Sequence, residues 1–429
     1  MELIGLSNKP LLFRISMITK SFSHIIFRYH HLDCNPRTLI YKMKKFRCLL
    51  SLTVDNGRIK KIDQFRNLTK LVLKPNSTVS DISILINLEH LHIENDTLND
   101  IQMLTKITYL HLNSKILFDI SNLTDLKYLF LSERSKIKNI DNNTKLTFIH
   151  IENFKSIGNI HTIDYNITHL IHLQEVRLID QGLNIVINHV NLSNLTKLSV
   201  TMSHTRPMLS QTKKFLVNNL FNLYDLNISR TVVHNIEFLT QLTSLTLETM
   251  NVQYVEFPTS LRSIKCKYVY NLNIASLINL NRLILDMPRN LGLIYDVPNL
   301  SYLAINDGTI LDKKIKFDTF DSLKVLKLSM CDGLPYEFSY ISTLTKLSLQ
   351  NMNITNINRL IELKQLKLKN TNVRNINLLH QLESFYFDLS DKKYADFSHL
   401  SNLKNLYFGI DKSKNYFRLP KTADVYVLK

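Results

Sequence analysis

The chain has no tryptophan, 8 glycines, 9 prolines and 4 cysteines in 429 residues. So little glycine and proline argues against the flexible, low-complexity tracts in which disorder concentrates. Cys34, Cys48, Cys266 and Cys331 show no paired spacing, which excludes a sequence-readable disulfide framework and the thiolate zinc motifs. Pro10, Arg14 and Lys20 interrupt the apolar segments at the start, so no secretory signal is read there. No apolar run reaches the roughly 18 residues a membrane span needs. These absences predict an intracellular, cytoplasmic protein with reduced thiols and no membrane partner. Gly-rich phosphate loops, nucleophile elbows and His-Glu-x-x-His are missing as well. The chain therefore reads as a non-enzyme without cofactor or metal.

What is present is apolar and basic. Hydrophobic residues make up 45% of the chain, enough for a real core, and 53 Lys and Arg against 36 Asp and Glu give a formal charge of +17. That excess attracts phosphates or acidic proteins and is silent about fold.

The apolar residues are periodic. Around Leu344 the chain reads T-L-T-K-L-S-L, then E-L-K-Q-L-K-L, then Q-L-E-S-F-Y-F. Ile354, Ile357 and Leu360 between the first two are answered by Val373, Ile376 and Leu379 between the last two. The unit is Leu-x-x-Leu-x-Leu-x-x-x-x-Ile-x-x-Ile-x-x-Leu-x-x. Unit starts fall at Leu49, Leu68, Leu88, Ile107, Leu126, Leu146, Leu173, Leu195, Leu223, Leu242, Leu261, Leu280, Leu300, Leu323, Leu344, Leu363, Leu382 and Leu403, and 11 of these 17 spacings are 19 or 20 residues. Positions 4 and 6 point one way from a short strand, because side chains alternate. Positions 11, 14 and 17 recur every three residues, as in tight 3₁₀-like or extended turns. One unit cannot bury this face alone, so neighbours must stack and share a core.

A period near 20 with Leu-x-x-Leu-x-Leu resembles the leucine-rich repeat family. The resemblance implies an α/β-type leucine-rich repeat solenoid over 49–410, about 18 units long. It implies a curved horseshoe with a parallel β-sheet on the concave side and a thin convex side of short turns and 3₁₀ segments. In that family an Asn at position 9 bonds loop backbone between rungs. Here that position holds Asp96, Lys115, Thr231, Met250, Met352 or Thr371, while Asn251, Asn351 and Asn370 sit off register. The repeated N-L-T phrase creates Asn-x-Thr triplets, as at Asn67 and Asn122, which look like glycosylation acceptors and are read as products of the repeat.

The ends differ from the array. Residues 1–48 do not repeat; Leu11, Leu12, Ile15, Ile18, Phe22, Ile25 and Ile26 lie mostly on one face of a helix entered at Pro10, which predicts a helical N-terminal cap. Within it, residues 6–26 resemble the C-terminal half of an F-box at Leu11, Leu12, Ser16, Ile18, Lys20, Ser21, Phe22, Ile25 and Ile26. The opening Leu-Pro-x-Glu half has no counterpart. The resemblance implies docking on the linker subunit of a cullin–RING ubiquitin ligase. Three long spacings follow Leu146, Leu173 and Leu195, and the last carries a polar insert, Thr201 to Phe215, expected to leave the stack as a loop. Residues 411–429 predict a C-terminal cap in which Val425 and Val427 form a last edge strand.

Outward positions 3, 5 and 7 of the strands make two patches. The first is aromatic and imidazole-rich: His90, His92, Tyr109, His111, Tyr128, Phe130, Phe148 and His150, flanked by Glu94 and Glu152. Clustered exposed rings suit a protein partner, although rings stacked on one another also stiffen a sheet. Its imidazoles lack a zinc spacing, and a surface titrating near pH 6–7 fits them better. The second patch is basic: Arg262, Lys265, Lys267, Arg282, Lys327, Lys346, Lys367 and Lys369, with Asp286 as the exception, and it is expected to lack interleaved aromatics for stacking single strands. It suits an acidic protein or nucleic-acid phosphates, or is an ordinary solvated face. Two functions follow: a protein-recognition scaffold, extended by the F-box-like segment to a ligase substrate adaptor, and a basic nucleic-acid-binding scaffold.

Overall fold

Every unit start read from the sequence is followed, two residues on, by a β-strand. The cause is the alternation itself: in Lys70–Leu73 the second and fourth residues are buried and the others face out, and the pattern recurs from strand to strand. The structure is a computed structural model that describes His24–Phe27 and residues 50–428, except 56, 58–59, 154–166, 168, 181–191, 203–213, 218–219, 231, 253–254, 271, 289–296, 308–314, 332–340, 375, 389–393, 410–415, 419 and 422.

The chain divides into two compact units, Met1–Ile185 and Val186–Lys429. In the first, His24–Phe27, Ser51–Val54, Lys70–Leu73, His90–Ile93, Tyr109–Leu112, Tyr128–Leu131, Phe148–Asn153 and Glu175–Asp180 pair in that order, all parallel. In the second, parallel pairing runs from Lys197–Met202 through Asp225–Ser229, Ser244–Asn251, Ser263–Tyr270, Arg282–Asp286, Tyr302–Asn306 and Val325–Ser329. It continues through Lys346–Gln350, Gln365–Lys369, Ser384–Asp388 and Asn405–Gly409 to Asp424–Leu428. Register is exact by repeat position. Leu71, Leu91, Leu110, Leu129, Ile149 and Val176 form one line across the first unit, each fully buried. Each such side chain contributes about 2 kcal/mol by leaving water.

The three-residue apolar spacing closes the coil. The Leu360 amide donates to the Ile357 carbonyl at 3.1 Å and the Leu363 amide to the Leu360 carbonyl at 3.0 Å; Ile62, Phe65 and Leu68 repeat this at 3.0 Å and 3.0 Å. Among the described residues, four segments extend to 3₁₀ helices, Ile140–Asn142, Ile236–Phe238, Phe317–Thr319 and Ile376–Leu378. Short parallel ribbons also line this side, among them Leu117–Asp119 with Lys136–Lys138 and Asn353–Asn356 with Asn372–Arg374. The described residues contain no α-helix, which corrects the α/β reading to a parallel β-solenoid. The helical cap is corrected where it is described: His24–Phe27, placed at the end of the helix, is a strand on the edge of Ser51–Val54. An open sheet edge satisfies the backbone of a His-Ile-Ile-Phe segment, whose β-branched pair favours a strand. The rest of the cap, Cys34, Cys48 and residues 203–213 of the polar insert lie outside the described residues.

Inter-rung bonding uses the expected position only in part: the Lys115 backbone amide donates to Asp96 Oδ1 at 2.8 Å and the Met352 backbone amide to Thr371 Oγ1 at 3.2 Å. In the second unit, position 8 turns the chain out of the strand in the left-handed conformation: φ is 63° at Arg230, 47° at Met287, 52° at Asp307, 50° at Met330, 50° at Asn351 and 47° at Asn370. That geometry aims the amide at the next rung. Met287 donates to the Asn306 carbonyl at 2.8 Å, Asp307 to Ser329 at 2.8 Å, Met330 to Gln350 at 2.9 Å and Asn351 to Lys369 at 2.9 Å. Asn351 and Asn370 are thus residues that tolerate this backbone, and Asn370 Nδ2 donates to Asn351 Oδ1 at 3.0 Å. A side-chain Asn ladder exists elsewhere, just before position 1. Asn222, Asn279, Asn299 and Asn402 donate Nδ2 to carbonyls of the preceding rung at 2.6, 2.9, 2.8 and 2.9 Å. The N-L phrase therefore ties rungs together.

Candidate binding face

All of the predicted aromatic and imidazole residues come together on the outward side of four adjacent strands in the first unit. Parallel register places His90, Tyr109, Tyr128 and Phe148 in one row and His92, His111, Phe130 and His150 in the next. The rings touch in sequence. His92 and His111 stack at 4.0 Å with planes 10° apart; Tyr109 meets Phe130 at 5.1 Å, and Phe130 meets Phe148 at 4.7 Å and His150 at 5.9 Å. His90 lies 5.6 Å from Tyr109, and Tyr128 lies 6.5 Å from Tyr109 and 6.3 Å from Phe148. Tyr128 is 45% exposed and is the most prominent apolar surface of the group.

Charges frame the rings. Glu94 accepts from His92 Nε2 at 3.1 Å and pairs with Lys74, while Glu152 lies 2.8 Å from His150 Nε2. His111 Nε2 and Ser132 Oγ are 3.0 Å apart. The Arg177 guanidinium sits 5.5 Å over the Phe148 ring and is held by Glu175 at 2.6 Å. Burial and the neighbouring His111 push the His92 imidazole down to about 4, and burial also lowers His111. Burial raises the Tyr109 phenol. The expected titration of this surface at pH 6–7 is corrected for His92, and His111 is shifted in the same direction: packing against flat neighbours costs the charged form its water. Among the described residues, no three His, Cys, Asp or Glu side chains converge on a metal position.

The basic residues are more dispersed. Lys265, Lys267, Arg282, Lys327, Lys346, Lys367 and Lys369 all lie on the outward face of the second unit. Arg262 does not share their positions: it occupies position 2, ahead of the Ser263–Tyr270 strand, where its carbonyl accepts from Arg282 at 3.0 Å. Counting from the leucine that starts its unit shows the offset. Lys267 lies between Glu248, at 3.2 Å, and Asp286, its register partner, and the Glu248 contact raises its pKa. The absence of interleaved aromatics is also corrected. Tyr302 lies under Arg282 at 3.8 Å and Lys327 at 5.4 Å, and Tyr386 under Lys367 at 4.5 Å. Both occupy outward positions 3 and 5, so the repeat frame contained them.

Shared-core coils of about 20 residues, a parallel strand in each and turns on the opposite side define a parallel β-solenoid of the leucine-rich repeat type. Two solved structures, the first two below, agree on that fold. CroV588, a circular leucine-rich repeat protein, is 15% identical over 95% of this chain and 70% of its own, with a TM-score of 0.56. The Toll–Spätzle complex of Drosophila gives 14% identity over 98% and 62%, with a TM-score of 0.50. A leucine-rich repeat protein of Leptospira interrogans gives 18% over 90% and 91%, with a TM-score of 0.45. No family model matches the sequence, and no curated relative does.

Proposed function

We propose that the protein is a recognition scaffold that binds a protein partner on the outward face of its first unit, through His90, His92, Tyr109, His111, Tyr128, Phe130, Phe148 and His150. The observation that carries this reading is the continuous ring surface on the side of the sheet opposite a core that is already filled. Rigid aromatic rings flanked by carboxylates and a guanidinium make a desolvated centre with a polar rim, the arrangement of a binding hot spot.

The finer proposal, a ubiquitin-ligase substrate adaptor, rests on Leu11, Leu12 and Phe22 of the F-box-like stretch; its last residues are the strand His24–Phe27, where that motif implies helix. The second reading, a nucleic-acid scaffold on the second unit, gains support from Tyr302 and Tyr386 beside cations. Glu248, Asp286 and Asp388 on the same face oppose a continuous phosphate track.

Affinity capture from lysate with three baits tests these readings: the full chain, His92→Ala with Tyr128→Ala, and Leu11→Ala with Phe22→Ala. The first double variant should keep its circular dichroism spectrum and lose its specific partner by at least about 30-fold, as for paired hot-spot residues. Unchanged capture would remove the ring surface from the account. Cullin-complex subunits should come down with the full chain and be lost from the Leu11 and Phe22 variant alone. Their absence from all three eliminates the adaptor. Retained nucleic acid whose binding collapses between low and physiological salt would support the second reading.

A further inference from the structure

A depression in the outward face of the second unit has a built shape that the recognition reading above does not use. Along one register line the side chains are Lys265, Ile284, Ala304 and Lys327. The two short apolar residues leave a cavity of about 370 Å³ between the lysines, floored by Ile284 and Ala304. Its far wall is polar, with Asp286, Asn306, Ser329 and Gln350, and the Asn306 amide donates to Asp286 Oδ1 at 2.6 Å. Its near side is fixed by Tyr302 between Arg282 and Lys327. Lys265 is exposed and, among the described residues, forms no ion pair.

Distances along this line select a ligand. Three strand spacings of about 4.8 Å separate Lys265 from Lys327, roughly 14 Å between backbones. An extended peptide crossing the strands advances about 3.3 Å per residue, so residues i and i+4 are about 13 Å apart and, with i+2, point to the same side. We propose that this trough binds an extended acidic peptide of pattern acidic-x-apolar-x-acidic. The two carboxylates meet Lys265 and Lys327, and the apolar side chain settles over Ala304. The amide and hydroxyl groups of Asn306, Ser329 and Gln350 face the peptide backbone. Asp286 in the wall disfavours a run of phosphates, which is why a peptide rather than a nucleic acid is the occupant.

The test is fluorescence anisotropy of the full chain with labelled Ser-Glu-Gly-Leu-Gly-Glu-Ser. Saturable binding is expected. Replacing either Glu of the peptide by Gln should weaken it about threefold to fivefold, the range of one exposed ion pair. Lys265→Gln with Lys327→Gln should weaken it about tenfold without moving the thermal midpoint. Ala304→Phe fills the trough, leaves both charges, and should abolish binding, with circular dichroism confirming the fold. Three results would overturn the proposal: no binding, equal binding of a peptide with the two Glu at i and i+2, or full binding by Ala304→Phe. A single-stranded DNA oligonucleotide that binds more tightly and is lost in the same lysine variant would assign the face to nucleic acid instead. None of these outcomes depends on the rings of the first unit, so this site and that one fail separately.

Discussion

Leu110→Asp is expected to unfold the first unit, while Tyr109→Ala, one residue away, leaves it folded. Leu110 is fully buried in the line of apolar residues that each rung shares with the next. Its loss removes about 2 kcal/mol of burial, and a carboxyl without a partner adds several more. The sum, at least about 5 kcal/mol, approaches the whole stability of an ordinary domain. In a stack the damage also removes an interface from each neighbouring rung. Tyr109 faces out, with Phe130 at 5.1 Å and Tyr128 at 6.5 Å, so truncation should cost about 1 kcal/mol of ring contact. Circular dichroism melts and limited proteolysis of the two variants decide this. Equal stabilities would mean that the strand's two faces have been assigned wrongly.

Acid should weaken the same unit, and His92→Phe should remove most of the effect. His92 is held near 4 in the fold, against about 6.5 in an unfolded chain. Between those values the unfolded state binds the extra proton, so stability present above pH 6.5 is lost as pH falls toward 4. His111 is shifted the same way and adds to the slope. The groups facing the pair are Lys70 on the preceding strand and Lys74 just after it, Glu94 beside His92, and His150 and Glu152 beyond His111. The carboxylates favour protonation, but burial and the two like imidazoles outweigh them. With the His92 side chain still 25% exposed, screening leaves on the order of 2 kcal/mol. Urea unfolding at pH 7 and pH 4.5 measures it. A native chain with flat stability over this window, or a His92→Phe variant as acid-sensitive as the native one, would contradict the packing described.

The repeat unit, its strand positions and both outward patches were legible because they are side-chain patterns. Leucines at fixed offsets name the buried face, and the alternate positions then name the outward one. What escaped was carried by backbone or by context. The left-handed turn at position 8 is built on Arg230, Met287 and Met330, whose side chains give no hint of handedness. The Asn before position 1 was visible as a recurring phrase, but its carbonyl acceptor lies about 20 residues earlier and appears only once rungs stack. Tyr302 and Tyr386 do not show in a patch defined by charge alone. Once the rungs are aligned, each lies under the cation of its neighbour. The lowered imidazoles are hidden for the same reason, since their main cause is burial among side chains of adjacent strands, with the neighbouring imidazole second for His92.

A partner is expected to cover the ring surface of the first unit. Hydroxyl-radical footprinting of the full chain, alone and with its captured partner, tests it most directly, because oxidation reports the solvent access of individual side chains. Protection of Tyr128, Tyr109 and Phe148 on partner binding is expected, with Ile86 and Met103, exposed on turns of the same unit, oxidised as before. Protection of those turn residues with Tyr128 still fully oxidised would contradict it.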